Sequence, residues 1–199
     1  MTNPTAAMLV IGDEILSGRT QDTNTHHLAG ELTKQGINLK EVRVISDDAV
    51  SIVAAVRKLS SIYMHVFTSG GIGPTHDDIT ADCIAEAFGS HIEIRDDARA
   101  ILQTHYDAQK LPLNDARLRM ARIPDKATLI DNPISKAPGF TIENVHVMAG
   151  VPSIFQAMLA SVLPSLTGGQ PLLSETYRVE RGEGDIAAPL SALASAFPA

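Results

Sequence analysis

The chain has 199 residues, 44% of them hydrophobic and 20% charged, a composition that can bury one ordinary core and argues against disorder. A net charge of −7, no Trp and only 4% aromatic residues argue against a nucleic-acid surface, which needs a basic face or stacking platforms. The lone Cys83 excludes an intrachain disulfide and a cysteine-built zinc site, and fits a reducing compartment. No apolar run approaches a membrane span, and Met1-Thr2-Asn3-Pro4 lacks a signal-peptide pattern, so a cytoplasmic protein with no membrane partner is expected.

In chain order, Ala6 to Ile11 is a continuous apolar run, as in a strand buried on both faces. It enters the turn Gly12-Asp13-Glu14-Ile15-Leu16-Ser17-Gly18. Residues 25–35 read as a helix with Leu28 and Leu32 one turn apart, capped by Thr23 or Asn24 and ended by Gly36. Leu39, Val42 and Val44-Ile45 predict a second strand. Asp47-Asp48 opens a second helix, with Ile52, Val53, Val56, Leu59 and Ile62 on one face. Tyr63 to Phe67 predicts a third strand, which feeds the stretch Thr68-Ser69-Gly70-Gly71-Ile72-Gly73-Pro74-Thr75-His76-Asp77-Asp78-Ile79-Thr80. Asp78 or Thr80 is expected to cap the helix after it, with Ile84, Ala85 and Phe88 inward and Gly89 as terminator.

Ile92 and Ile94 suggest a short strand. Residues 96–108 and 115–122 look helical, divided by Pro112; the second carries Arg117, Arg119 and Arg122, read first as a solvated face and second as a phosphate contact. Short strands are expected at 128–130, 139–142 and 145–148, then a helix over 154–163 capped by Ser153. Thr167-Gly168-Gly169-Gln170-Pro171 is the best linker, giving a domain over 1–168 and, over 169–199, a small extension or the start of a second subdomain. There, 176–180 alternates like an exposed strand and 185–197 begins a helix.

Alternating strands and helices predict an α/β fold whose mostly parallel sheet carries helices on both faces. In such sheets ligands bind beyond the carboxyl ends of the strands, so the turns holding Asp13, Asp47 and Gly70–Asp78 are expected on one edge. A strand, a glycine-rich turn and a helix start in sequence suit a phosphate or another compact anion, because glycine lets successive N–H groups approach it. The carboxylates beside that loop oppose a bare phosphate; a divalent cation such as Mg²⁺ would reconcile the two. His76 is a hydrogen-bonding loop residue or a ligand, Ser69 and Thr75 are donors, and Lys136 is a candidate counter-charge. Plain alternatives exist for each: Asp47, Asp48 and Asp78 suit N-caps, and Cys83 suits a core position.

Gly12–Gly18, Asp22-Thr23-Asn24, Gly70–Thr80, Ala137-Pro138-Gly139-Phe140 and Gly150-Val151-Pro152, in that order, resemble the MoaB/Mog molybdopterin-binding superfamily. The version is closest to the N-terminal domain of CinA proteins, with the similar domain of eukaryotic FAD synthase next. The resemblance covers roughly residues 6–165. It implies a three-layer α/β/α sandwich with a mixed, mostly parallel sheet, a ligand site over the glycine loop, and assembly as a homo-oligomer, a dimer or trimer. It also implies that molybdopterin or a related phosphorylated ligand is the cofactor, and that Asp47 and Asp78 match the acidic positions that matter in the family. The CinA-like branch is linked to metal-dependent cleavage of ADP-ribose-type pyrophosphates. The deamidase activity of CinA proteins belongs to a separate domain and is not expected of this one. Departures are Ala149 where Pro is common, Ser135-Lys136 where small neutral residues are common, and Asp77 where Mog-type proteins carry a basic residue.

The candidate ligand- and phosphate-binding residues are therefore Gly12, Asp13, Ser17, Asn24, Ser69, Gly70, Gly71, Ile72, Gly73, Thr75, Lys136, Pro138 and Gly139. Asp47 and Asp78 are the candidate catalytic residues, and Asp13, Asp47, Asp77 and Asp78 the candidate metal ligands. Three functions follow as expectations: binding of a phosphorylated pterin or nucleotide, metal-dependent pyrophosphatase action on ADP-ribose or FAD-type dinucleotides, and a non-catalytic oligomerisation module.

Overall fold

The computed structural model describes residues 2–171 and 173–197. In chain order its elements are β1 (Thr5–Ile11), α1 (Asp13–Leu16), α2 (Asn24–Lys34), β2 (Asn38–Ile45), α3 (Ala49–Ser60), β3 (His65–Ser69), α4 (Thr80–Phe88), β4 (Ile92–Ile94), α5 (Asp96–Ala108), α6 (Asp115–Leu118), β5 (Arg122–Pro124), β6 (Thr128–Ile130), β7 (Gly139–Ile142), β8 (Val145–Met148), α7 (Pro152–Val162) and α8 (Glu183–Ala196).

Six strands form one sheet in the order β2-β1-β3-β8-β7-β6. β2, β1, β3 and β8 run parallel, and β7 is antiparallel to both neighbours. The near-continuous apolar sequence of β1 follows from its place. It has a strand on either side and helices above and below, so every residue from Ala6 to Ile11 is buried. Alternation then divides the core in two. Ala7, Leu9, Ile11, Val66 and Val147 pack with Ile52, Val56 and Leu59 of α3 and Ile84 of α4 on one face. Ala6, Met8, Val10, Phe67 and Met148 pack with Leu28 and Leu32 of α2 and Phe155, Met158 and Leu159 of α7 on the other. The result is a three-layer α/β/α sandwich with a mixed, mostly parallel sheet.

The helix ends correct several expectations. α2 is not capped by Thr23 or Asn24; the Asp22 carboxylate accepts from the N–H groups of Asn24 (2.9 Å) and Thr25 (3.1 Å). α7 starts at Pro152, whose fixed φ suits a first helical position, so Ser153 lies inside it. Ile62 falls past the end of α3 and is half exposed. Residues 115–122 split into α6, a 3₁₀ turn at Arg119–Ala121 and β5, because β4 takes Arg122–Pro124 as an antiparallel partner. Residues 176–180 join no strand, and α8 has no buried residue.

At α3 the expected cap holds. The Asp48 carboxylate accepts from the Ser51 N–H at 2.8 Å, and it is held below the usual carboxylate range by that residue. Asp48→Ala is expected to lower the urea midpoint of the domain, the ordinary effect of losing an N-cap. Asp78 makes no such bond to α4. The residue before that helix is Ile79, and the Thr80 N–H is taken by the Gly71 carbonyl at 2.9 Å.

Candidate ligand site over the glycine loop

Because β1, β2, β3 and β8 are parallel, the turns that follow them open on one sheet edge. β7 runs the other way and starts there with Gly139, opposite Ile130 at the end of β6. The Gly12 N–H donates to the Ile45 carbonyl (3.1 Å), and the Asp13 N–H to the Asp47 carboxylate (3.0 Å), so the β1 and β2 turns are joined. Partial burial raises the Asp47 pKa, and the nearby carboxylates of Glu14, Asp13 and Asp77 raise it further against the Asp13 hydrogen bond. The acidic turns therefore do converge.

The glycine loop is built on backbone that other residues resist. Gly70 has φ +109° and Gly71 φ +69°. A Cβ on Gly70 would lie 2.2 Å from the Ile11 carbonyl oxygen, and one on Gly71 would lie 2.1 Å from the Thr80 hydroxyl. Beyond the glycines the chain is closed by Asp78, whose Oδ2 accepts from the Thr75 N–H (2.8 Å) and the Thr75 hydroxyl (2.5 Å). Arg119 secures the same limb, donating from Nε to the Thr75 carbonyl (3.2 Å) and from an Nη to the Asp78 carbonyl (3.4 Å). Among the described residues, the N–H groups of Gly71, Ile72 and Gly73 meet no protein acceptor.

Above the loop lies a cleft of about 600 Å³. Gly70, Gly71, Ile72, Gly73, Pro74 and Asp78 line it from the loop, Glu14 and Thr20 from the β1 turn, and Ala149, Gly150, Val151 and Pro152 from the β8 turn. Tyr106, Met120, Asn132, Ser135 and Ala137 complete it with Ile154 and Met158. Its charged lining residues, Glu14 and Asp78, are both acidic.

Several candidate residues serve the frame around this cleft instead of lining it. The Asn24 amide is buried and donates to the Ser69 hydroxyl and the Gly150 carbonyl, both at 2.8 Å, tying α2 to the ends of β3 and β8. The Ser17 hydroxyl is exposed and accepts from Arg19 at 3.2 Å. Pro138 lines a small cavity of about 20 Å³ beside Asp78, and Gly139 lets β7 pack against the Val147 carbonyl. Lys136 is a correction to the expected counter-charge. It has φ +61° and lines a separate groove with Asp131 and the outer face of α5. The His76 side chain is fully exposed, 4.0 Å from Asp77. Asp13, Asp47, Asp77 and Asp78 do not assemble a cage: among the described residues no three His, Cys, Asp or Glu side chains are grouped so as to hold a metal ion. One reason is that Asp47 and Asp78 already accept loop N–H groups.

Residues 7–168 match the protein family described as "Probable molybdopterin binding domain". The chain belongs to that family. The solved structure of CinA from Thermoplasma acidophilum is similar to this molybdopterin-binding-family domain at 33% identity and a TM-score of 0.74, covering 81% of this chain and 98% of that one. A Caenorhabditis elegans protein named probable FAD synthase is 36% identical over 216 residues, covering 97% of this chain and 41% of that protein. MoaB from Thermus thermophilus shares the fold, at 17% identity and a TM-score of 0.53, covering 82% of this chain and 91% of that one. The chain spans 40 to 66% of the length of several curated relatives it matches. Among the described residues no helix is long and apolar enough to cross a membrane.

Sequence reasoning missed three residues of this candidate site. Arg119 was visible but grouped with a solvated face; only the fold shows that it reaches the loop. Arg117 and Arg122 are also engaged, over the Tyr106 ring and with Asp82 respectively. Tyr106 and Met120 carried no local signal, since an aromatic and a methionine near helix ends read as core.

Proposed function

We propose that this domain binds a phosphorylated pterin or nucleotide in the cleft, with a phosphate against residues 71–73. The observation that carries this is the run Gly71–Gly73, which lines a cleft of about 600 Å³ and whose N–H groups meet no protein acceptor among the described residues. A space of that size suits a small-molecule ligand. Membership of a molybdopterin-binding family supports the pterin, and likeness to a protein named probable FAD synthase supports the nucleotide.

The acidic lining must be balanced. Among the described residues no protein-only cage for a divalent ion exists, so the cation arrives on the ligand's phosphates, with Glu14 and Asp78 of the lining as the carboxylates at hand. Mg²⁺ is commonly held in this way, through one or two carboxylates, phosphates and water. Such an ion would polarise a phosphoryl oxygen. That acid-only lining favours a second reading, cleavage of the pyrophosphate of ADP-ribose or FAD-type dinucleotides.

Thermal denaturation with molybdopterin, ADP-ribose and FAD, with and without Mg²⁺, tests both. Phosphorylated ligands are expected to raise the melting temperature by mass action, and their phosphate-free counterparts are not. Equal stabilisation by a phosphate-free pterin or by adenosine would overturn the cradle. Binding without release of AMP under Mg²⁺, Mn²⁺ or Co²⁺ would end the hydrolytic reading and leave the binding one.

A further inference from the structure

We propose that Tyr106 is the platform on which the planar heterocycle of the ligand stacks, so that the cleft selects a phosphorylated aromatic heterocycle over a bare phosphate or phosphosugar. This deepens the reading above and rests on it. Tyr106 lines the same cleft as Gly71–Gly73, together with Met120. It is half-buried near the end of α5 and is the one aromatic residue of that lining.

The ring is fixed in place by the chain that follows it. After α5 the chain turns at Lys110, φ +56°, where the Leu111 N–H donates to the Tyr106 carbonyl at 3.0 Å, and Asn114 caps α6 by accepting from the Arg117 N–H at 3.0 Å. Arg117 donates to the Pro112 carbonyl at 2.5 Å, which sets its guanidinium 4.3 Å from the centre of the Tyr106 ring. A cation at that distance is attracted to the ring face, and one ring face is thereby covered. The His105 ring lies edge-on, 5.3 Å from Tyr106 between centroids. A ring pinned by a guanidinium loses little freedom when a ligand docks, so its stacking free energy is retained. The polarisable thioether of Met120 adds a second surface suited to a flat π-system. Phosphate recognition and heterocycle recognition thus fall to different parts of the chain, the β3 turn and the α5–α6 return.

The test uses two probes that separate these parts: Mg²⁺ with inorganic pyrophosphate, and Mg²⁺ with ADP, followed by a neopterin phosphate as the pterin arm. The chain has three Tyr and no Trp, so tyrosine emission can be followed directly. Wild type is expected to bind ADP or the neopterin phosphate at least tenfold more tightly than pyrophosphate, a difference within the range of one base–aromatic stack. Tyr106→Leu is expected to lose that advantage while its pyrophosphate affinity stays within twofold. Tyr106→Phe is expected to keep the affinity and lose most ligand-induced quenching of tyrosine emission. Loss for only one of the two heterocycles supports the platform and names its ligand.

Unchanged ADP and neopterin phosphate affinity in Tyr106→Leu overturns the platform, with pyrophosphate binding leaving the cradle intact. Parallel loss of pyrophosphate binding overturns it also, because the ring then only supports the fold. If neither pyrophosphate nor the heterocycles bind wild type, both readings fall. Should Tyr106→Leu fail to fold, the Phe variant decides: unchanged quenching overturns the proposal.

Discussion

Gly71→Val is expected to weaken ligand binding severely while leaving the rest of the fold assembled. Gly71 sits at φ +69°, where an L-residue is disfavoured by about 1–2 kcal/mol and a β-branched one by more. Its Cβ would also lie 2.1 Å from the buried Thr80 hydroxyl, at the first residue of α4. The Gly71 carbonyl accepts from the Thr80 N–H, so the turn cannot swing away without releasing the helix start. The strain is therefore relieved by moving the 71–73 N–H groups, which are the proposed phosphate donors. Affinity for a phosphorylated ligand should fall on the order of 100-fold, equivalent to about 3 kcal/mol. Calorimetric titration gives the affinity, and urea denaturation gives the stability. Thr80→Ala in a Gly71→Ala background should recover part of the stability and less of the affinity, because it removes the contact but not the φ penalty. A Gly71→Val protein that binds as tightly as wild type would rule out the loop as the anion site.

The second large effect is acid destabilisation through His146. This residue lies on β8, 6% exposed, with its ring 5.0 Å from Phe67 and 5.8 Å from His65. Nδ1 contacts the Thr141 hydroxyl at 3.0 Å, and Nε2 meets no partner among the described residues. Burial, then the neighbouring His65, pushes its pKa down from 6.5 to about 4. A base whose folded pKa is lowered binds fewer protons when native than when unfolded, so stability rises with pH between the two values. The contribution is complete above the ordinary value of 6.5 and is lost as pH falls through about 4. The difference corresponds to about 3 kcal/mol. His65 is shifted the same way, chiefly by burial, and adds to the slope. Urea denaturation from pH 7.5 to 4.5 should show a steep fall in wild type. In His146→Leu the fall should be much smaller, since the variant removes both the titration and an unpaired buried nitrogen. Equal slopes in the two proteins would place the acid sensitivity elsewhere.

The two effects differ in how visible their causes were. The glycines at 70 and 71 stood out because they separate a strand from a helix start. No other residue type combines close approach with free choice of φ. His146 gave no such sign. In Val145–Met148 it reads as one polar residue in an apolar run, and only the pairing of β8 with β3 and β7 brings His65, Phe67 and Thr141 around it. The arginines repeat the lesson. Their spacing in 117–122 looked helical and solvated, whereas pairing of β5 with β4 breaks the helix and turns Arg119 onto the loop. Lys136 is the reverse case: a plausible counter-charge by sequence proximity to Pro138 that the left-handed backbone directs into another groove.

Periodicity, chain punctuation and motif order determined most elements of this protein, the layering of its sheet and the edge that carries the glycine turn, though not the break of 115–122 into a helix, a turn and a strand. These depend on burial patterns and backbone preferences that each segment holds within itself. Which carboxylate joins the β1 and β2 turns, which arginine braces the loop and which ring enters the cleft were decided by the tertiary structure alone. The Asp13–Asp47 and Thr75–Arg119 hydrogen bonds join residues 34 and 44 positions apart, and nothing in the chemistry of either partner names the other before the sheet has set their distance.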